Sequence, residues 1–349
     1  MLLIAARVNA QSIEQRVAAV RDGTVRLTFA SRPGVCGDGR ETVRSGEMIV
    51  VFPSMYGHGR SEMSPCFTGP VRVAIGRADG ETISVRTHVG GRWAAGDRDD
   101  AVTDLGVVSA PDAARYLLRE ATRARGRNTD YALGAAALAD SVQLWSDLAR
   151  IARDDAVRDD TRHRAVFWIG TYDDPAANRA LRELAADTDL DDDVRGNAII
   201  ALARDDISDE DVAWLRRLYP SASAKLRDNI FLAVSRSDSP RAAAWLADVA
   251  TNAGESEHTR QQAMFWLGQG NAPTSTLLEL YDRLTTAPAA LRSHYTFVLS
   301  QRRDREALDK LMDVAQHDAS RDVRHQALFW LGQSKDPRAI DFIRRLVTR

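Results

Sequence analysis

Six arginines recur at a regular interval: Arg162, Arg195, Arg227, Arg260, Arg292 and Arg324. A column of guanidiniums could form a stripe for phosphate or carboxylate, since each offers a planar fork of donors. "DTDLDDD" (187–193) places Asp187, Asp189 and Asp191 at alternate positions, as a calcium loop begins. The glycine expected next is Asp192 and the closing Glu is Ala198. The stretch reads better as a turn whose acids cap a helix starting near Asp193. His163, His258, His294 and His325 all stand within two residues of a repeating Arg, on a side expected to face solvent. They share no single slot, and neither His-x-x-x-His nor Cys-x-x-Cys occurs, so no metal site is expected. Cys36 and Cys66 sit in no nucleophile motif, with or without His58. The glycines of "GVCGDGR" are not followed by Gly-Lys-Ser/Thr, so no phosphate cradle is expected. Catalytic, cofactor and metal residues are therefore all expected to be none.

The two cysteines belong to a β-rich part, residues 11–104. "QRVAAVRDGTVRLTFA" sets Asp22-Gly23 between two alternating stretches, and "VRVAIGRADGETISVRTHV" does the same with Asp79-Gly80. Both predict hairpins in a small antiparallel domain, separated by a Gly- and Pro-rich region over 31–70. Two cysteines here and none elsewhere suggest a structural disulfide, with free buried thiols as the alternative. A closed loop of about 30 residues would contribute roughly 3 kcal/mol and would require an oxidising compartment.

From about 105 the strand signals stop. The arginines, with Tyr131 in the same slot, are spaced 31, 33, 32, 33, 32 and 32 residues apart. That is an internal repeat of seven copies. Each copy has an aliphatic residue or Thr before the Arg, usually a small residue three later, and an aliphatic one seven later. Proline follows at thirteen in Pro175, Pro240, Pro273 and Pro337, where it opens a second amphipathic helix. "SAPDAARYLLREA" (109–121) carries Pro111 in that slot without a preceding first helix, and predicts a cap helix over 111–125.

"DVRHQALFWLGQSKDPRAIDFIRRL" resembles the short bacterial HEAT-like (PBS-lyase-type) repeat: Asp-x-Val-Arg, Ala, Ala-Leu-Gly, then Asp-Pro-x-Ala and Leu. The resemblance covers about 105–349 and implies a mainly α fold, a right-handed α-solenoid of about seven helix pairs. It also implies that the Arg column is a structural ladder tying neighbouring repeats through acids such as Asp160, Asp193 and Asp322. Thr-Pro-Leu-His of ankyrin is missing, and the Trp-x-x-Leu-Gly of tetratricopeptide repeats is replaced by adjacent Trp-Leu-Gly. The β part resembles no family.

Composition sets limits on function. The formal net charge is −2, with 13 basic and 12 acidic residues before 105 and 34 and 37 after it. That balance argues against a general nucleic-acid binder, which needs clustered cations. No run of eighteen apolar residues exists to span a membrane. Met1–Ala6 is apolar and Val8-Asn9-Ala10 offers small residues before Gln11, so residues 1–10 read as a signal-peptide remnant or as an ordinary disordered start. The function expected is a non-enzymatic scaffold binding a protein partner, exported to the periplasm or cell envelope, with a cytoplasmic place as the alternative. The β part would be a second recognition module or a cap on the first repeat. Other readings implied by the resemblance are a lyase-type protein handling a small ligand, as bilin lyases do, and a DNA-binding protein like those of alkylation repair.

Phe-Trp-(Leu/Ile)-Gly recurs at 167–170, 265–268 and 329–332. Counted at about 100° per residue from the Arg, plus three, plus six and plus seven face the core. Plus five falls among polar positions, yet it holds Ala136, Phe167, Ile200, Leu232, Phe265, Phe297 and Phe329. Either the Trp rings rotate each helix so that the Phe rings pack between repeats, or these residues form an exposed partner-binding ribbon.

Overall fold

A computed structural model describes residues 11–40, 42–45, 48–51, 66–93, 101–123, 131–203 and 207–347. The signal remnant (1–10) and His58 lie outside them. The chain forms two compact units, Met1–Ala180 and Leu181–Arg349, so the first holds the β elements together with early repeats.

The first unit opens with helix α1 (Ile13–Ala18), where a strand was expected. Ser12 caps it, and the Gln15 side chain returns to the Ser12 backbone N–H, a reciprocal capping box. Asp22-Gly23 therefore leads from a helix into β1 (Gly23–Phe29) and closes no hairpin. Strands β2 (Val35–Gly37), β3 (Thr42–Ser45), β4 (Met48–Val51) and β5 (Phe67–Thr68) form a sheet in the order β4-β3-β2-β5. Strands β6 (Val71–Ala78), β7 (Glu81–Val89) and β8 (Val102–Val107) join β1 in the order β7-β6-β1-β8. The β6–β7 hairpin turns at Asp79 and Gly80, with φ of 52° and 81°, as a two-residue hairpin turn demands. Pairing is antiparallel except between β1 and β8, which run parallel. Cys36 on β2 is bonded to Cys66, with Cα atoms 5.3 Å apart.

Val25, Leu27 and Phe29 of β1, with Val71, Val73 and Ile75 of β6, are fully buried on one face of the larger sheet. The β part is tied to the first repeat: Arg32 N–H donates to Leu138 O and Asp140 N–H to Ala30 O, both at 2.9 Å.

The cap helix is α2 (Ala110–Arg123), and seven helix pairs follow among the described residues. First helices are α3 (Tyr131–Ala137), α5 (Asp159–Ile169), α7 (Asp192–Leu202), α9 (Ala224–Ser235), α11 (Glu257–Gln269), α13 (Ala289–Gln301) and α15 (Arg321–Gln333). Second helices are α4 (Trp145–Arg153), α6 (Pro175–Ala186), α8 (Asp209–Leu218), α10 (Pro240–Thr251), α12 (Thr274–Leu284), α14 (Arg305–His317) and α16 (Pro337–Val347). The fold is an α-solenoid preceded by a small β region. Pro175, Pro240 and Pro337 open their helices, while Pro273 stands one residue outside, as the N-cap of α12.

In the second unit, α7, α9, α11, α13 and α15 pack side by side in sequence order. Plus three (Ala263, Tyr295, Ala327) and plus seven (Leu267, Leu299, Leu331) are buried in repeats five to seven. Each buried Leu contributes about 1.5–3 kcal/mol. The Gly of Phe-Trp-Leu-Gly has a local reason in repeat five. A Cβ on Gly268 would stand 2.2 Å from Val298 Cγ1, so α11 and α13 approach at the distance glycine permits.

Candidate functional site

The ladder arginines are held by the structure around them. Arg162, Arg195 and Arg260 each donate Nε, at 3.1 Å, to the carbonyl ten residues earlier: Ala152, Ala185 and Ala250. Those carbonyls belong to the last turn of the preceding second helix, where intrahelical donors run out. Arg227 donates Nε to Ala222 O at 3.1 Å and pairs with Glu255 at 3.3 Å. Arg324 donates to Asp318 O at 2.6 Å.

Arg292 makes the fullest set. Its Nε donates to Asp318 Oδ2 at 2.9 Å and its Nη2 to Oδ1 at 3.2 Å. Arg292 is 8% exposed and Asp318 5%. Asp318 also accepts from Tyr281 Oη at 2.6 Å and from Ser320 N–H at 2.7 Å. Burial pushes this carboxyl up, but the Arg292, Tyr281 and Ser320 hydrogen bonds outweigh it and hold the group below the usual carboxylate range.

The acids two residues before each Arg are not these partners. Asp193 pairs with Lys225, and Arg162 and Arg195 use Asp159 and Asp192, three residues before, at 3.4 and 3.3 Å. The 187–193 stretch is a turn: Asp191 caps α7 by accepting from Asp193 N–H and Val194 N–H. Among the described residues no group of three or more His, Cys, Asp or Glu side chains could hold a metal ion.

With the cations turned inward, the outward face of the first helices is left to other chemistry. In the second unit Ile200, Leu232, Phe265 and Phe297 are half-buried and Phe329 is 53% exposed. In the first unit Phe167 is 41% exposed, while Ala136 is buried. Over repeats five to seven the rings touch one another. Phe265 and Phe297 lie parallel, centroids 6.3 Å apart, and Phe297 meets Trp330 at 5.3 Å. Trp266 and Trp330 stand edge-on to Phe265 and Phe329 at 5.1 and 5.0 Å. Both indoles are half-buried, with Nε1 unpartnered, whereas Trp168 is buried. Plus six is thus a core position in repeat two and the flank of the ribbon in repeats five and seven.

The plus-two and plus-nine positions beside these rings carry no fixed charge. Plus nine is Gln269, Gln301 and Gln333, all exposed; plus two is Gln262, His294 and Gln326, all half-buried. Earlier repeats break the pattern with Arg164 at plus two and with Arg204 and Arg236 at plus nine. Histidines do not all face solvent: His294 packs against Phe297 at 5.7 Å. Burial lowers its pKa, against a backbone hydrogen bond at Gln261 that raises it. A cleft of ≈ 220 Å³ adjoins the ribbon, with Leu299, Arg302, Leu311, Trp330 and Gln333 among its lining. Sequence reasoning picked out plus five but missed that the neighbouring positions are uncharged, although plus two and plus nine spell it out.

No curated protein matches the chain. Among solved structures it is similar to human deoxyhypusine hydroxylase in complex with glycerol, at 17% identity and a TM-score of 0.31, over 68% of this chain and 90% of that one. That likeness carries no reading of activity. Residues 274–349, from α12 through the last two helix pairs, match the family of HEAT repeats.

Proposed function

We propose that this chain is a non-enzymatic scaffold that binds a protein partner through the ribbon Phe265–Phe297–Phe329 and its flanking Trp266 and Trp330. One observation carries the reading: a contiguous, partly exposed aromatic row on an uncharged face, in a protein whose residues are 28% charged. Interface centres are depleted of charge and enriched in aromatic side chains. HEAT repeats, matched over 274–349, suggest the same role. Ile200 and Leu232 put smaller, half-buried apolar side chains in the same slot of the second unit, and Phe167 holds that slot in the first. The place of action is the cell envelope, a reading supported by the Cys36–Cys66 bond, which an oxidising compartment preserves.

Phe329→Ser is the direct test, because its ring is the most exposed of the row and its loss costs the fold least. Partner retained from an envelope fraction by immobilised protein should fall at least tenfold with Phe329→Ser, while the far-ultraviolet spectrum stays unchanged. Equal retention by wild type and variant removes the ribbon from the account.

A further inference from the structure

Arg72 is the second residue of β6, in register with Thr28 on β1 and His88 on β7. Alternation along the strand puts it on the face opposite Val71, Val73 and Ile75. Arginine on such a strand normally reaches water, yet Arg72 is 4% exposed. Its Nε and Nη2 have no hydrogen-bond partner among the described residues. No carboxylate pairs with it among the described residues. Burial lowers its pKa.

The two unpaired nitrogens lie on one edge of the guanidinium. That edge presents two parallel N–H groups and matches the two oxygens of a carboxylate or phosphate. Arg292 shows the edge satisfied: the same two atoms, Nε and Nη2, hold both oxygens of Asp318, at similar burial. Among the described residues no acid takes that place at Arg72. What stands beside it is the Trp93 ring, with the guanidinium carbon 5.4 Å from its centroid and that of Arg26 at 4.7 Å. An indole face stabilises a cation but does not replace a bidentate acceptor.

The neighbourhood favours an anion. Arg26, Arg86 and His88 share the face with Arg72, and Asp104 stands beside Arg26 on β8, two strands away. Glycines bring backbone up to Nη2, where a side chain would crowd it. A Cβ placed on Gly91 would lie 3.4 Å from Nη2, with Gly39 backbone the other neighbour of that space.

We propose that the Nε–Nη2 edge of Arg72 is a binding site for an oxyanion from outside the chain, a carboxylate or a phosphate, on the β1–β6–β7 face beside Trp93. This site is separate from the ribbon and does not depend on it. An anion there completes the pair that Arg292 already has.

The experiment titrates the full chain with inorganic phosphate and, separately, with acetate, at constant ionic strength against chloride, by calorimetry and by thermal unfolding. Saturable binding is expected for at least one anion, and the preferred one names the group a natural ligand carries. Binding should raise the unfolding midpoint by several degrees. Arg72→Met should unfold at a higher midpoint than wild type without the anion and gain nothing from it. Arg72→Lys, which keeps the charge but loses the fork, should bind at least tenfold more weakly, and it serves should the Met variant not fold. Binding that neither variant weakens, or none at all, overturns the proposal. So does an Arg72→Met chain less stable than wild type in anion-free buffer, because that result means the edge is already satisfied within the chain.

Discussion

Arg292 and Arg72 are equally hidden and oppositely treated. In the second unit Arg292 has both nitrogens of one edge on Asp318; in the first, Arg72 has that edge open beside an indole. The repeats close their buried cations, with backbone carbonyls at Arg162, Arg195 and Arg260 and with acids at Arg227 and Arg292. A solenoid that spends its guanidiniums inside has an uncharged aromatic face left to offer outside. The β part does the reverse, keeping apolar strands in and collecting cations on one face. Recognition by the array is therefore expected to be apolar, and by the β part ionic.

The contrast breaks hardest at Asp318. Asp318→Ala leaves Arg292 buried without its acid and Tyr281 without its acceptor, and should cost about 3–5 kcal/mol, read by urea unfolding of the full chain. The same carboxyl predicts an acid limb. Its folded pKa is lowered, so its contribution is complete above an unfolded pKa of about 3.9 and is lost as pH falls through the folded value. Asp318→Asn should flatten that limb.

The next effect is on the other side. Reducing Cys36–Cys66, or replacing both by Ser, should cost about 3 kcal/mol, and hydrogen exchange should show the loss in β1–β8 with protection over 224–333 unchanged. Arg72→Met should have the opposite sign to Asp318→Ala, raising the midpoint in anion-free buffer. The smallest effect belongs to His294. Its folded pKa is lowered, so the unfolded chain takes up the proton first and stability declines as pH drops below about 6.5. His294→Gln should remove that slope, seen by comparing unfolding midpoints at pH 7.5 and 5.5.

Much of this architecture was readable as a period. Proline and the repeating Arg placed the second helices, because each buries a single stripe and reads as amphipathic. First helices were harder. In the second unit α13 packs on α12 and α14 and on the first helices α11 and α15, so apolar residues cover most of its circumference and a wheel drawn from plus three and plus seven misjudges plus six. Trp168 buried and Trp266 half-buried show one slot serving two environments. The segment before Asp22-Gly23 was misread for a different reason. Val17, Ala18 and Ala19 suit strand alternation as well as a short helix, and the deciding signal was Ser12 with Gln15, the capping box. Asp318 escaped notice because Arg292 finds its acid 26 residues onward, in the next inter-repeat turn, not among the acids beside it. Nothing local marks Arg72: an Arg on an alternating strand is normally solvated, and only the packing of Trp93 and the Gly39–Gly91 corner shows otherwise.

The central claim, that the array recognises a protein by its uncharged aromatic face, is tested most directly by photo-crosslinking in producing cells. A photoreactive residue is placed singly at Gln269, Gln301 and Gln333 on the ribbon side, and at Arg241, Glu279 and Glu306 on exposed positions of second helices. The account predicts one shared protein adduct at the three glutamine positions, absent from the other three and lost when Phe329→Ser is added. The same adduct at Arg241, Glu279 and Glu306 with none at the glutamines would contradict it.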